Sequence, residues 1–290
     1  MKICVIGVGN IGMRYVQGIT RKFPEAELYL VDNPARLKEL GELDLGDTTL
    51  LESVGDINVD IDLCVVSTSC EPRLEIYKRC LEIRPRYIIL EKYLFTSRQQ
   101  FQDCLMLDRV PTFVNQWLYG SKTFDCLFEK EASSVTLAGS SWGLACNAVH
   151  WIDVFQRHMN IAQLAVGRDT CVTDVVPSKR AGYEEIYGEL AFVDENSNKA
   201  FKLIDRSDDC FNGVMEITVD DQVYGFDYSQ VTLNGQTLSK FPYFSEIFGD
   251  IAADIIDTGE CHLPRLEDSI SQHLLIEEVF EGLDHRPNIT

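Results

Sequence analysis

Three glycines, an aspartate, a lysine and a histidine are the residues of this chain whose types and spacing can do chemistry. Gly7, Gly9 and Gly12 form a Gly-x-Gly-x-x-Gly run, and Asp32 follows twenty residues after the last of them. The run comes directly after the apolar segment 2–6 and opens a stretch that reads as helical to about Phe23, where Pro24 stops it. A second apolar segment, 27–31, ends at Asp32. Each residue then has a physical duty: Gly7 permits a tight turn, Gly9 lets backbone approach a pyrophosphate, and Gly12 lets the helix lie close to the sheet. Asn10 and Ile11 complete the turn, whose backbone N–H groups face an anion. Asp32 accepts from ribose hydroxyls. A lone glycine turn can serve packing alone, but this strand–helix–strand setting predicts dinucleotide binding. A carboxylate at 32 repels a 2′-phosphate, and Asn33-Pro34 supplies no cation, so NAD is expected rather than NADP; Arg36 is the one nearby cation that would serve NADP.

Lys92 and His150 are the candidates for proton transfer. Oxidising a secondary alcohol requires a base at the carbinol oxygen while hydride leaves. A lysine beside a cationic nicotinamide ring has its ammonium form disfavoured and can serve as that base, or as a hydrogen-bond donor that fixes the oxygen. Read alone, Lys92 is an ordinary surface lysine paired to Glu91. His150 has an unperturbed pKa near neutrality and suits general acid–base work, yet a histidine in an apolar helix is also a common satisfied structural group. Asp153, three residues on, shares its helix face and can orient it or make a packing salt bridge. Asn147 and Trp117 are weaker candidates for substrate contact, by hydrogen bonding and by an apolar ring face. A metal at His150 with His158 or Asp153 matches no ligand spacing, so none is expected.

The elements that must position these residues alternate at first. Segments 62–69, 86–90 and 112–117 read as strands, with helices from Pro72 and around 97–107 between them, which predicts a doubly wound parallel sheet. After residue 118 the grammar changes. A helix is expected over 147–160, then β-rich runs at 185–193, 214–219, 222–228 and 230–233, with tight turns at Asp220-Asp221 and Asn234-Gly235. Helices over about 243–257 and 267–282 close the chain, the latter with a stripe of Ile270, Leu274, Leu275, Val279 and Phe280. The fold class predicted is α/β: an N-terminal Rossmann domain, 1–118, and a C-terminal α+β domain with an open antiparallel sheet, 119–290, expected to carry substrate contacts and oligomerisation.

The 290 residues carry 46 acidic against 26 basic side chains, a formal net charge of −20. Such a surface repels nucleic acid and anionic lipid, and an anionic ligand must be held by local groups against the overall field. Ten cysteines are scattered singly; without paired spacing they read as reduced and structural, Cys4 and Cys64 lying inside apolar strands. No stretch approaches the length of a membrane span, and the first residues are unlike a signal peptide. A cytoplasmic protein is expected, forming a homo-oligomer (dimer or tetramer) through the open sheet.

These segments resemble the Gfo/Idh/MocA family, the glucose-fructose oxidoreductase and inositol dehydrogenase group. The resemblance runs from the glycine fingerprint through VVSTSCEP at 65–72 and LEKYLF at 90–95, which is similar to the family's Glu-Lys-Pro motif. It continues in SWGLACNAVHWIDVF at 141–155, SKRAGYEEIYGEL at 178–190 and LPRLEDSISQHLLI at 263–276, the last two similar to members from bacterial surface-sugar pathways. It implies cofactor contacts from Ser67, Thr68, Glu91 and Lys92, catalytic roles for Lys92 and His150, and substrate contacts from Trp117, Asn147 and Asp153. It implies hydride transfer between NAD and a hydroxyl-bearing carbon of a sugar, nucleotide sugar or polyol. Tyr93 stands where the family has proline, and Cys146 where many members have an Asp four residues before the histidine. Two other readings follow from those departures and from shared architecture: a dinucleotide-binding regulator or subunit without dehydrogenase activity, and a small reductase of biliverdin type.

Overall fold

The structure, a computed structural model, describes residues 1–43, 45–107, 110–207 and 214–289. The chain divides into two compact units, Met1–Asn115 with Tyr243–Asp268, and Gln116–Pro242 with Ser269–Thr290.

In the first unit, strands β1 (Lys2–Ile6), β2 (Glu27–Val31), β3 (Thr48–Leu51), β4 (Leu63–Val66), β5 (Tyr87–Leu90) and β6 (Thr112–Val114) alternate with helices α1 (Asn10–Lys22), α2 (Pro34–Leu40), α3 (Arg73–Ile83) and α4 (Arg98–Leu105). The sheet is wholly parallel in the order β3-β2-β1-β4-β5-β6. Its central strands, ICVI in β1, LCVV in β4 and YIIL in β5, are buried on both faces, as continuous apolar runs require. Cys4 and Cys64 sit opposite each other in register there and are fully buried. Among the described residues no disulfide forms; Cys210 lies outside them. Strand order reverses between β1 and β4, which opens a crevice at their carboxyl ends.

The second unit holds β7 (Ser134–Ser140), α5 (Leu144–His158), β8 (Leu164–Val166), β9 (Cys171–Pro177), β10 (Glu184–Asp194), β11 (Ala200–Arg206), β12 (Met215–Val219), β13 (Gln222–Phe226), β14 (Gln230–Leu233) and β15 (Gln236–Lys240). These make a nine-stranded sheet in the order β15-β14-β13-β12-β7-β11-β10-β8, with β9 on β10. The sheet is mostly antiparallel, as expected, with one parallel pair, β7 on β11. The two expected turns are present, and positive φ at Asn234 and Gly235 gives the backbone twist that a two-residue hairpin needs.

The last helices are α6 (Phe244–Thr258) and α7 (Leu266–Glu281). A boundary at 118 would place α6 in the second unit, whereas residues 243–268 belong to the first. α6 packs on α1 at two glycines: a Cβ on Gly249 would stand 2.8 Å from the Gly18 carbonyl oxygen. Phe244 and Phe248 meet the Tyr15 ring edge-on at 5.0 and 4.1 Å. α7 departs from its expected apolar stripe. Leu274 and Leu275 are half-buried, while Ser269, Gln272, His273 and Glu277 are buried, Gln272 donating to Gln156 at 3.0 Å and Glu277 pairing with Arg286 at 2.7 Å. No described helix is long and apolar enough to cross a membrane.

Candidate functional site

The β1–α1 turn is built around absent side chains. Gly7 has φ +84°, and a Cβ there would lie 2.8 Å from both the Thr68 backbone nitrogen and its Cγ2. A Cβ on Gly12 would run into the Gly7 carbonyl, so the helix can start this close to the strand only with glycine at 12. Gly9 faces open space within 4 Å of its Cβ position, and α1 begins at Asn10 without a side-chain cap. Uncapped N–H groups at a helix start, with room above them, form a cradle that suits a pyrophosphate.

Asp32 closes the turn from the end of β2. Its carboxylate accepts from the Val8 N–H at 2.6 Å and from the backbone and side-chain N–H groups of Asn33 at 2.7 and 2.8 Å. Arg36 lies alongside, its Nε donating to the Val8 carbonyl at 2.8 Å and its guanidinium paired with Glu39 at 2.7 Å. The Ser67 hydroxyl donates to the Gly7 carbonyl at 2.6 Å, so it braces the turn from β4. A cleft of about 350 Å³ opens here, lined by Asp32, Asn33, Glu52, Ser53, Thr68, Ile76 and Arg79 among others. Thr68 Oγ1 is buried at that cleft with no hydrogen-bond partner among the described residues, a state that a ligand's polar atom would relieve. The residues therefore fit the adenosine half of a dinucleotide. Glu52, Ser53 and Arg79 were not singled out in the sequence, because they reach the cleft from β3 and α3 and share no local motif.

Lys92 emerges from the end of β5, at the same carboxyl edge, and is half-buried; the Lys92–Tyr93 peptide is cis. Its neighbours are held from below. The Glu91 carboxylate is buried and accepts from the Tyr15 hydroxyl and the Asn115 amide. Burial pushes Glu91 up from the usual carboxylate range, against the hydrogen bonds from Tyr15 and Asn115 and the charge of Arg73. Burial likewise pushes the Tyr15 hydroxyl up, aided by Glu91, and pushes the Arg73 guanidinium down. Arg73 is itself buried and donates to the carbonyls of Thr68, Tyr93 and Leu94. One cation thus ties the loop after β4 to the loop after β5.

In the second unit the site grows from the start of α5. Gly143, with φ +86°, lets the chain turn into the helix, and two carboxylates meet its first N–H groups. Asp205, at the end of β11, accepts from Trp142, Gly143 and Leu144 at 3.3, 3.0 and 3.3 Å. Glu185 accepts from Ala145 and Cys146 at 2.8 and 3.4 Å. Burial pushes the Asp205 carboxyl up to about 6 against those bonds. Beside them lies a cleft of about 360 Å³, lined by Trp142, Cys146, Asn147, Lys179, Arg180, Glu185, Tyr187 and Asp205 among others. Of the second-unit residues singled out in the sequence, Asn147 lines this cleft, its amide donating to the Trp142 carbonyl at 2.9 Å. His150 lies one helical turn further and is buried. Asp153, also buried, accepts from Arg157 at 2.8 Å and Gln272 at 3.2 Å, while Trp117 packs on Phe241 at 5.1 Å. His158 stacks on Phe128 at 4.5 Å, and burial lowers its pKa.

No family model and no curated protein sequence matches the chain. Solved structures do, over nearly the whole length. A dehydrogenase (MviM) from Clostridium difficile is 16% identical, with 98% of this chain and 99% of that one covered at a TM-score of 0.71. A myo-inositol dehydrogenase from Corynebacterium glutamicum is 13% identical, with 97% and 96% covered at 0.67. The chain has the Gfo/Idh/MocA fold. A biliverdin reductase from Synechocystis, solved with biliverdin and NADP+, shares it at 12% identity, with 98% and 99% covered at 0.68.

Two positions at which the sequence departs from the motifs it resembles lie beside these residues. Tyr93, after Lys92, has its ring fully buried, 6.3 Å from Phe101, so the loop is anchored by an aromatic plug as well as by Arg73. Cys146, four residues before His150, lines the second unit's cleft, its thiol 3.8 Å from the Asn147 side-chain oxygen.

Proposed function

We propose that this protein is an NAD-dependent oxidoreductase that acts on a hydroxyl-bearing carbon of a sugar, nucleotide sugar or polyol. The observation that carries the reading is Asp32 locked to the glycine turn through the Val8 N–H, at the sheet edge from which Lys92 emerges. Asp32 meets the adenosine ribose, and the start of α1 meets the pyrophosphate. The bound dinucleotide supplies the hydride acceptor, or the donor in reverse. Lys92 takes or returns the hydroxyl proton, and Arg73 with Glu91 holds its backbone in place. His150 is assigned the second acid–base role, with Asp153, Asn147 and Trp117 as substrate-side positions. NAD is favoured over NADP because the Asp32 carboxylate repels a 2′-phosphate and Arg36 is engaged by Glu39.

The test is the absorbance of reduced nicotinamide with a panel of sugars, nucleotide sugars and polyols. Turnover that falls by about 10²–10⁴ in Lys92→Ala is expected for loss of a general acid–base group. Silence with every compound would remove the reading. The cysteine at 146 favours one alternative, dinucleotide binding without dehydrogenase activity, which NAD binding without turnover would select. Biliverdin belongs in the same panel, since a chain of this fold binds it.

A further inference from the structure

We propose that the cleft of the second unit receives an anionic group of the substrate, a carboxylate or a phosphate ester, on Lys179 and Arg180. The proposal rests on the oxidoreductase reading and names the class of its substrate.

The cleft, about 360 Å³, is within the size range of small-molecule sites, and Trp142 and Tyr187 give it apolar faces on which a sugar ring can lie. A helix start is ordinarily an anion site. Here the chain has occupied its own: the N–H groups of residues 142–146 donate to Asp205 and Glu185. An incoming anion therefore finds those donors taken and two carboxylates beside them. What the cleft offers it instead is Lys179 and Arg180, adjacent cations on the turn between β9 and β10.

That turn is built to present them. The Ser178 N–H donates to the Tyr183 carbonyl at 2.8 Å, the Arg180 N–H to the Ser178 hydroxyl at 3.0 Å, and the Tyr183 N–H to the Arg180 carbonyl at 3.1 Å. The Arg180 guanidinium lies 4.6 Å over the Tyr183 ring. The end of the chain clasps the same hairpin: Asn288 donates through its backbone to Glu184 at 2.8 Å and through its amide to the Gly182 carbonyl at 2.8 Å, and accepts from the Glu184 N–H at 2.7 Å. These bonds fix the backbone that carries the two cations, whose side chains are exposed, and a fixed backbone loses less freedom on binding than a loose one. In a chain of net charge −20, whose overall field repels anions, such local cations decide whether an anion is admitted.

The experiment compares initial rates at saturating NAD for neutral hexoses, the matching hexuronates and the hexose phosphates, with calorimetric binding of the same compounds to the NAD-loaded protein. At least one anionic series is expected to bind about tenfold or more tighter than its neutral parent, with an affinity that weakens as salt is raised. The double variant Lys179→Gln with Arg180→Gln is expected to erase that preference while its NAD affinity stays at the wild-type value. Which series shows the preference separates carboxylate from phosphate. Binding of an anion that the double variant loses, without turnover of any compound, would sink the oxidoreductase reading and leave the anion site standing. Equal binding of neutral and anionic compounds, no binding of either anion, or a preference retained in the double variant would overturn the proposal itself.

Discussion

The buried guanidinium of Arg73 donates to the main-chain carbonyl of Tyr93, the residue directly after Lys92. The same side chain reaches the carbonyls of Leu94 and Thr68, so the loops that leave β5 and β4 share one cation. Replacing Arg73 with Met leaves these carbonyls without a donor in a buried site, a loss of about 3–5 kcal/mol. Urea unfolding should show it. Arg73→Lys should recover only part, because an ammonium lacks the planar fork that spans both loops. An unfolding midpoint unchanged in Arg73→Met would show that the loops are held by something else.

Asp205 makes stability depend on pH in a defined window. Its carboxyl ordinarily titrates near 3.8 and in the folded chain near about 6. Between those values the folded state holds a proton that the unfolded state has released. Its contribution is therefore fully present below about 3.8, falls as pH rises to about 6, and is absent above. The difference amounts to about 3 kcal/mol at most. Asp205→Asn removes the ionisation, so the stability of the wild type minus that of the variant should decline across this window and level off beyond it. A difference that stays flat from acid to neutral pH would contradict the assignment.

Gly249 tests whether α6 belongs to the first unit. A Cβ there meets the Gly18 carbonyl oxygen and the Lys22 Cβ, each at 2.8 Å. Gly249→Val forces α1 and α6 apart at a cost of about 1–3 kcal/mol, which thermal or urea unfolding of the whole chain would record. Wild-type stability in this variant would argue against the close crossing.

What was legible in the sequence was local. The glycine turn and Asp32 lie within one strand–helix–strand unit, and Asn234-Gly235 declares its hairpin by the backbone conformation that those residues tolerate. Longer-range facts were hidden. β7 was missed because SVTLAGS is only weakly apolar and takes its place from β11 and β12, distant in sequence. The apolar face of α6 announces burial without saying against what, hence the expected boundary at 118. Charged residues gave the least warning: nothing in the sequence distinguishes Arg73 or Asp205, both buried, from their exposed counterparts. Asn147 lines a cleft that it shares with Lys179, Arg180, Glu185 and Asp205, which converge on it from separate strands and one turn.

The most direct measurement is calorimetric titration of NAD and NADP into the purified chain and into Asp32→Ala. The account expects one NAD per chain, bound more tightly than NADP. It expects NAD binding to weaken about 10–100-fold in the variant, as loss of a charge-assisted hydrogen bond implies, with the preference over NADP narrowed as the carboxylate is removed. Absence of heat with both dinucleotides, or an affinity for NAD indifferent to Asp32, would contradict it.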